Sequence, residues 1–238
     1  MESGESLQPG FWSRRLARDE WNGLTLSVGL LICLILLGCF GLLAVEANGS
    51  QPPRVDQRIY ESLRDHRESS PAMATFFLRL TQVGAGYYIY GAAALGATIL
   101  LLQRRYVAAI ILILVIAVAP LINTGVKDIF QRPRPEEIDR RAPEHSYSFP
   151  SGHSMESMIA YGMLGYVLTL SLPRRWQRRV SVLGLSLLIL AIGFSRMYLS
   201  AHWFTDVLGG FSLGAAWAVF WMTVLECGRR RAALAHRA

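Results

Sequence analysis

Three groups of polar residues interrupt an otherwise apolar chain, and their side chains are suited to reactions of a phosphate group. Lysine and arginine donate hydrogen bonds that tetrahedral oxyanions accept, while histidine can attack phosphorus or move a proton. The groups are Lys127 with Arg134 and Pro135, then Pro150-Ser151-Gly152-His153, and then Ser195-Arg196 with His202 and Asp206. If they share one site, the chemistry they favour is phosphoryl transfer.

The predicted phosphate-binding residues follow from charge and position. Lys127, Arg134 and Arg196 supply positive charge and hydrogen-bond donors. Ser151 and the Gly152 amide lie at the start of a predicted helix, where unpaired N–H groups attract anions. These five residues are therefore predicted to hold the phosphoryl oxygens.

The histidines have separate predicted tasks. His202 and Asp206 are four residues apart, which places them on one face of a helix. The carboxylate can hold one ring nitrogen and leave the other as a nucleophile. His153 is then available as a general acid for the leaving oxygen. Together these parts describe phosphoryl transfer without a metal.

A zinc site built from His153, His202 and Asp206 is the alternative use of the same side chains, since their ligand types are acceptable. Three cations are predicted to converge there without an excess of carboxylates, and they would repel a divalent ion. We therefore expect no metal and no cofactor, and full activity in the presence of a chelator.

The spacing of the three groups resembles the three-part signature of the type 2 phosphatidic acid phosphatase superfamily, which also contains vanadium haloperoxidases and glucose-6-phosphatase. The matching pattern is Lys127-x6-Arg134-Pro135, Pro150-Ser151-Gly152-His153 and Ser195-Arg196-x5-His202-x3-Asp206. A match of this length and order is much more specific than any single motif.

The resemblance implies a role for each matching residue. His202 would attack phosphorus and form a phosphohistidine, Asp206 would orient it, and His153 would protonate the leaving oxygen. The phosphoryl oxygens would be held by Lys127, Arg134, Arg196, Ser151 and Gly152. The supporting residues would be Ser195, Pro135 and Pro150.

Composition shows what kind of scaffold must position these residues. Hydrophobic residues make up 52% of the 238-residue chain and charged residues 17%, whereas roughly a quarter of residues are charged in ordinary soluble domains. Apolar stretches long enough to cross a bilayer as helices lie at 24–45, 74–102, 107–126, 155–172, 180–199 and 203–225. The prediction is an all-α polytopic membrane protein with six transmembrane helices.

Two features of these stretches need interpretation. Gly84 and Gly86 mark a possible break within the second stretch. The first stretch could instead be a signal peptide, but its length and the polar lead of residues 1–23 favour a retained helix.

The arginine distribution predicts the orientation. The formal net charge is +7, and 23 of the 24 basic residues are arginine, with Lys127 as the single lysine. Thirteen arginines fall in the lead 1–23, the turns near residues 104 and 174–179, and the tail 226–238. The segments 48–72 and 130–150 each balance four arginines against four acids.

Both termini are therefore predicted to be cytoplasmic, and the charge indicates topology and not nucleic-acid binding. We expect a single membrane-embedded domain, 1–238. Its lead is 1–23, its outer loop 48–72, its outer catalytic loop 130–150 and its cytoplasmic tail 226–238.

This topology places all three polar groups at the outer membrane face, and the family resemblance adds the reaction. The expectation is a phosphatase, without nucleic-acid or metal partners, acting on a lipid phosphate in the bilayer. It would be a multi-pass protein of a bacterial inner membrane, with its site facing the periplasm or cell exterior. The first choice of substrate is undecaprenyl pyrophosphate. The alternatives are phosphatidylglycerophosphate, phosphatidate and, less favoured, lipid A.

Two other classes of protein are weighed against the phosphatase. An anion or lipid transporter would explain the arginines but not the pairing of His202 with Asp206. A haloperoxidase-like enzyme that binds vanadate would use the same pocket, but those relatives are soluble.

Several residues beside the motifs have more than one interpretation. Glu156 could pair with a cation or tune the site, with neither favoured. Asn123 could steady Lys127, although an interhelical hydrogen bond is preferred. For Tyr87, Tyr88 and Tyr90 an aromatic belt is preferred to a lipid entrance, and for Arg132, Arg140 and Arg141 anchoring at lipid headgroups is preferred. A structural role is preferred for His66, His145 and His236, and a packing role for Cys33, Cys39 and Cys227.

Overall fold

Helices make up all of the regular secondary structure in the computed structural model, which describes residues 23–49, 51–136 and 146–235. The all-α prediction is therefore confirmed for this part of the chain. The helices are α1 (Leu24–Ala47), α2 (Arg54–Ser69), α3 (Pro71–Gln82), α4 (Gly86–Leu102), α5 (Tyr106–Phe130), α6 (Gly152–Ser171), α7 (Arg175–Tyr198) and α8 (Phe204–Ala235).

Four of these helices, α1, α5, α7 and α8, are long and apolar enough to cross a membrane. The pair α3 and α4 qualifies when taken together but is bent by 45°, which confirms the break predicted at Gly84 and Gly86. Helix α6 has 20 residues but is less apolar, because His153, Glu156 and two serines occupy its first turns. Among the described residues, length and composition therefore identify four spans, or five with the bent pair, and the count of six stays a prediction.

The segment 48–72, predicted to be an outer loop, is mostly helical. It contains α2 and the start of α3, and α2 packs on α7 and α8. Asp56 is its buried residue, at 1% exposure. Residues 226–235 of the predicted tail also continue helix α8. Parts of three predicted segments lie outside the described residues. They are residues 1–22 of the lead, residues 137–145 of the catalytic loop with Arg140, Arg141 and His145, and residues 236–238 of the tail with His236.

Helix α6 forms the centre of the bundle and packs against α4, α5, α7 and α8. Its side chains Met155, Ile159 and Met163 are almost completely buried in the main hydrophobic core. A central helix of this kind has little surface facing lipid, so it does not need apolar residues all round.

Glycines on α8 let that helix approach α6 closely. A Cβ atom added at Gly210 would lie 2.5 Å from the carbonyl oxygen of Ser151, and one at Gly214 would lie 2.6 Å from that of Met155. Only residues without a side chain fit at these contacts. The close packing fixes the start of α6 against the start of α8, where two of the three polar groups lie.

Candidate active site

The three polar groups meet at one end of the bundle. Lys127 lies in the last turn of α5, Ser151 caps the N-terminus of α6, and Arg196 lies in the last turn of α7. His202 occupies the turn before α8, and Asp206 lies in the first turn of that helix. The Ser151 N–H donates to the Asp206 carbonyl oxygen at 3.0 Å and ties the starts of α6 and α8 together.

His202 lies between an arginine and a carboxylate and is 3% exposed. Its Nε2 is 3.2 Å from Nη1 of Arg134, and its Nδ1 is 3.5 Å from Oδ2 of Asp206. Because a guanidinium can only donate, Nε2 is the acceptor and the proton belongs on Nδ1, facing Asp206. This assignment leaves a lone pair on Nε2, as an attacking nitrogen requires.

The surroundings of His202 favour the neutral imidazole. Burial, together with the charges of Arg134, Arg196 and Lys127, lowers the pKa of His202 well below its usual value. A nucleophile must be unprotonated, so the same cations that suit a phosphate also keep His202 in its reactive form.

Asp206 is fully buried and accepts hydrogen bonds from several donors. Its Oδ2 accepts from the Trp203 N–H at 2.9 Å and from the Ser148 hydroxyl, and its Oδ1 accepts from Nη1 of Arg132 at 2.5 Å. These donors fix the orientation of the carboxylate whose Oδ2 faces His202. The predicted pairing is thus present, at the long distance of 3.5 Å.

Arg132 is a buried residue of the candidate site that sequence reasoning missed. We expected it to anchor at lipid headgroups, and that prediction is wrong because the side chain is 4% exposed and bonded within the protein. Its Nη2 donates to Oδ2 of Asp56 at 2.8 Å, while Nη1 contacts both Asp206 and Thr205 Oγ1. A buried cation thereby bridges two buried carboxylates, Asp56 and Asp206.

Asp56 completes this network from helix α2. Its Oδ1 accepts from the Thr205 N–H at 2.9 Å, and its Oδ2 accepts from the Thr205 hydroxyl at 2.7 Å. The only sequence signal for the network was that Arg132 lies within the first polar group. Nothing in the sequence links it to Asp56, which is 76 positions away.

Lys127 and Arg134 are held by the segment that precedes α6. Lys127 Nζ donates to the Tyr147 carbonyl oxygen at 2.6 Å and to Ser146 Oγ at 3.0 Å. Arg134 donates from Nε to the Ser146 carbonyl oxygen at 2.7 Å and from Nη1 to the Ala201 carbonyl oxygen at 2.6 Å. Both cations are therefore positioned beside His202 by backbone carbonyl groups.

The start of α6 is built as the sequence predicts, with a capping serine. Ser151 Oγ accepts from the Ser154 N–H at 3.5 Å and from the Ser154 hydroxyl at 3.0 Å. At Gly152 a Cβ atom would lie 2.9 Å from Nδ2 of Asn123, so a larger residue would displace that side chain. Asn123 thus packs across to α6, but its buried Oδ1 has no hydrogen-bond partner among the described residues, so the preferred interhelical hydrogen bond stays a prediction.

His153 faces the same cations. The charges of Arg196, Lys127 and Arg134 act on its ring, and His202 is also close enough to interact with it electrostatically. The side chain is half-buried. The structure therefore brings both motif histidines into one electrostatic environment.

The remaining motif residues lie deeper in the protein. Arg196 is 2% exposed, and its Nη1 donates to Thr81 Oγ1 on α3 at 2.9 Å. The Ser195 hydroxyl donates at 2.6 Å to the carbonyl oxygen of Ile192 in its own helix, so it acts on the helix and not on the site. Pro135 and Pro150 are buried beside the motifs.

The family model of the PAP2 superfamily matches residues 108–228, more than half of the chain and all three polar groups. The chain belongs to the PAP2 superfamily. The resemblance read from the motif spacing is therefore confirmed. Arg132, which holds Asp206 from its far side, and Asp56, which holds Arg132, lie outside the superfamily signature that we recognised.

Two curated proteins are similar to part of the chain. Phosphatidylglycerophosphatase B of Bacillus subtilis is 33% identical over 137 residues, which are 57% of this chain and 66% of the relative. Lipid phosphate phosphatase delta of Arabidopsis thaliana is 28% identical over 127 residues, which are 48% of this chain and 30% of the relative. The chain thus spans just under two thirds of the first relative and less than a third of the second.

Two solved structures share the fold. A transmembrane PAP2-type phosphatidylglycerolphosphate phosphatase from Bacillus subtilis is 27% identical, with a TM-score of 0.73, and the match covers 81% of this chain and 94% of that one. Aquifex aeolicus LpxE is 22% identical, with a TM-score of 0.52, covering 71% and 93%. The second likeness shows the fold alone.

Glu156 is a further residue of the PAP2 site that bears on its chemistry. Glu156 is half-buried and feels the charge of Lys127, but it forms no ion pair with any described residue. Within the described ranges, no group of three or more His, Cys, Asp or Glu side chains is arranged to hold a metal ion. Arginine, lysine and imidazole groups surround His202, and this set of donors suits a phosphate.

Proposed function

We propose that this PAP2 protein is a membrane lipid phosphatase that hydrolyses phosphatidylglycerophosphate. The observation that carries the proposal is the buried His202, with Nε2 beside Arg134 and Nδ1 beside Asp206. The substrate choice is supported by two Bacillus subtilis proteins named for phosphatidylglycerophosphate, one similar in sequence and one in structure. Because of these similarities, we prefer the alternative substrate, phosphatidylglycerophosphate, to our first choice, undecaprenyl pyrophosphate.

The proposed first step transfers the phosphoryl group to His202. Nε2 forms a bond to phosphorus while the phosphorus–oxygen ester bond breaks, and protonated His153 gives its proton to the departing oxygen. Asp206 stabilises the positive charge that develops on the ring of His202. The products of this step are phosphatidylglycerol and a phosphohistidine.

The second step returns the enzyme to its starting form. Neutral His153 takes a proton from water as the water oxygen bonds to phosphorus and the phosphorus–Nε2 bond breaks. Throughout, Lys127, Arg134 and Arg196 oppose the negative charge on the phosphoryl oxygens. No metal is required, and activity is expected to persist in a chelator; its loss in chelator and recovery with zinc would contradict this part.

The proposal also includes the topology, with six spans, both termini in the cytoplasm and the site at the outer face. Helix α6 supplies the sixth span, since 20 residues extend about 30 Å. Arg104 and Arg105, the arginines that start α7 and the arginines that end α8 all lie at the end opposite His202. That distribution agrees with the positive-inside rule.

Phosphate release from the purified protein in nanodiscs tests the function. Phosphatidylglycerophosphate should be hydrolysed faster than phosphatidate, undecaprenyl pyrophosphate or lipid A phosphates, and His202→Ala should abolish release. His66→Ala is the matched control, because His66 packs on Tyr198 outside the site. Equal rates for His202→Ala and the parent would refute the catalytic assignment, and a faster rate on another lipid would refute the substrate.

A further inference from the structure

A cavity of about 650 Å³ lies at the end of the bundle opposite the candidate active site. It is bounded by the turn between α4 and α5, the first turns of α5, the second half of α6 and the last turns of α8. Cavities of roughly 300–1,000 Å³ are the usual size for small-molecule sites. This one is therefore large enough to hold part of a lipid.

The walls of the cavity are apolar. Side chains from four helices form them, including Leu100, Leu112, Met163 and Leu225. A surface of this kind favours a hydrocarbon chain and offers little to a small, fully hydrated anion.

The rim of the cavity is basic. Arg104 and Arg105 lie on the turn between α4 and α5, and neither guanidinium forms a hydrogen bond or ion pair with a described residue. The third rim arginine, Arg229, is bonded to Glu226 at 2.7 and 2.8 Å. The one acid beside the rim is thus already engaged, and the charge facing the cavity is positive.

The turn at Arg104 and the side chain of Tyr166 complete the rim. Arg104 has a φ of 59°, a left-handed conformation that residues other than glycine seldom adopt, and it fixes the turn beside the cavity. Tyr166 lines the cavity, is close enough to feel the charges of Arg105 and Arg229, and its hydroxyl has no hydrogen-bond partner among the described residues. A phosphate oxygen would satisfy that donor.

We propose that this cavity is a second lipid site, which binds an anionic phospholipid of the bilayer. The phosphate would lie against Arg104, Arg105 and the Tyr166 hydroxyl, and part of an acyl chain would lie along the apolar walls. Basic pockets between transmembrane helices bind anionic headgroups in this way. The positive rim excludes a zwitterionic lipid as an equal occupant.

The site is separate from the candidate active site. Tyr106 at the cavity and Lys127 at the active site are both on α5, 21 residues apart, which corresponds to about 32 Å along the helix. One lipid headgroup cannot contact both. The inference therefore stands independently of the phosphatase activity, and a binding measurement tests it.

Filling the cavity is the first test. Gly228 lines it, and a Cβ atom there meets nothing within 4 Å, so Gly228→Phe places a ring in the cavity without a backbone clash. Gly184→Phe is the matched control, because Gly184 also has open space and does not line the cavity. The full-length protein is released from phosphatidylcholine nanodiscs containing phosphatidylglycerol, and retained lipids are counted by native mass spectrometry.

The parent and Gly184→Phe should retain a phosphatidylglycerol molecule that Gly228→Phe loses. Removing the rim charge with Arg104→Gln and Arg105→Gln should weaken retention by about tenfold or more. The charge-matched control is Arg175→Gln with Arg179→Gln, at exposed positions away from the cavity. Equal retention by all variants, or retention of phosphatidylcholine as strong as that of phosphatidylglycerol, would overturn the proposal.

Discussion

Arg132 connects the acid beside the candidate nucleophile to a helix outside the signature. Its guanidinium contacts Asp206 at 2.5 Å and Asp56 at 2.8 Å, all three side chains being buried. A planar fork can bridge two carboxylates in a way that an ammonium group cannot. At the scale of single residues, Asp206 is thus oriented from both sides, by Arg132 and by the backbone of Trp203.

We therefore expect Arg132→Lys to lower kcat by about 10- to 100-fold with little change in KM. Lysine keeps the charge but loses one of the two contacts, and Arg132 itself does not face the phosphate. Arg58→Lys, an exposed position on α2, is the control. Steady-state kinetics in nanodiscs measure the effect, and a rise in KM at constant kcat would show that Arg132 binds substrate instead.

Lys127→Ala should reduce phosphate release by about 10²- to 10³-fold, as expected when one donor to a developing oxyanion is removed. Its Nζ donates to the Tyr147 carbonyl oxygen and to the Ser146 hydroxyl, and neither of these groups carries a charge, so the fold should persist. Single-turnover phosphate release and thermal unfolding separate the two effects. Loss of activity that only parallels loss of folded protein would contradict this role.

The depressed pKa of His202 predicts the acid limb of the pH profile. Burial and then the Arg134 charge are the main causes of the lowered pKa. The rate of phosphoenzyme formation should therefore stay constant as the pH falls below about 6.5, the usual pKa of an imidazole. Arg134→Gln removes one cause and should move the limb to higher pH, while Arg79→Gln, an exposed control, should not. Using one substrate throughout keeps its own ionisation common to all variants.

The lowered pKa of His202 also makes the free energy of unfolding depend on pH, in a defined direction. Below about pH 6.5 the unfolded chain protonates this imidazole while the folded protein does not, so the unfolded state binds more protons. Stability from His202 is therefore complete above that pH and falls as the pH drops towards the folded-state pKa. Thermal unfolding of His202→Ala should lose this component of the pH dependence.

At the scale of elements, the glycine contacts between α6 and α8 determine how the halves of the site meet. Gly210→Ala places a Cβ atom 2.5 Å from the Ser151 carbonyl oxygen, and the start of α6 must move. We expect a lower melting temperature and lower activity together. Gly184→Ala, in open space, should be neutral or slightly stabilising, because alanine favours helix. An unchanged Gly210→Ala protein would show that the helices are loosely packed.

The elements also show what sequence could and could not provide. The sequence identified the motif residues because their spacing is local or matches a known signature. These residues are Lys127, Arg134, His202 and Asp206. Helix α2 was not, because its only buried residue is a single acid whose partner is 76 positions away. Hydropathy located α6 but could not show that it is the central helix, since burial among other helices relaxes the need for apolar residues.

At the scale of the whole molecule, the site and the second cavity lie at opposite ends of one bundle. A lipid phosphatase with this arrangement would carry out chemistry at one membrane face and contact anionic lipid at the other. The arginines at the cavity end give both the predicted orientation and the basic rim. In the proposed arrangement, topology and lipid binding would therefore depend on the same charges.

Cysteine labelling tests the orientation. Tyr147 precedes α6 and Leu234 ends α8, with three predicted spans between them and matched exposures of 40% and 39%. In a background with Cys33, Cys39 and Cys227 replaced by alanine, Tyr147→Cys should react with a membrane-impermeant maleimide on intact spheroplasts. Leu234→Cys should react only after permeabilisation, because the proposed orientation puts its helix end in the cytoplasm. The reverse pattern would invert the proposed topology, and labelling of both from outside would contradict an odd number of spans between them.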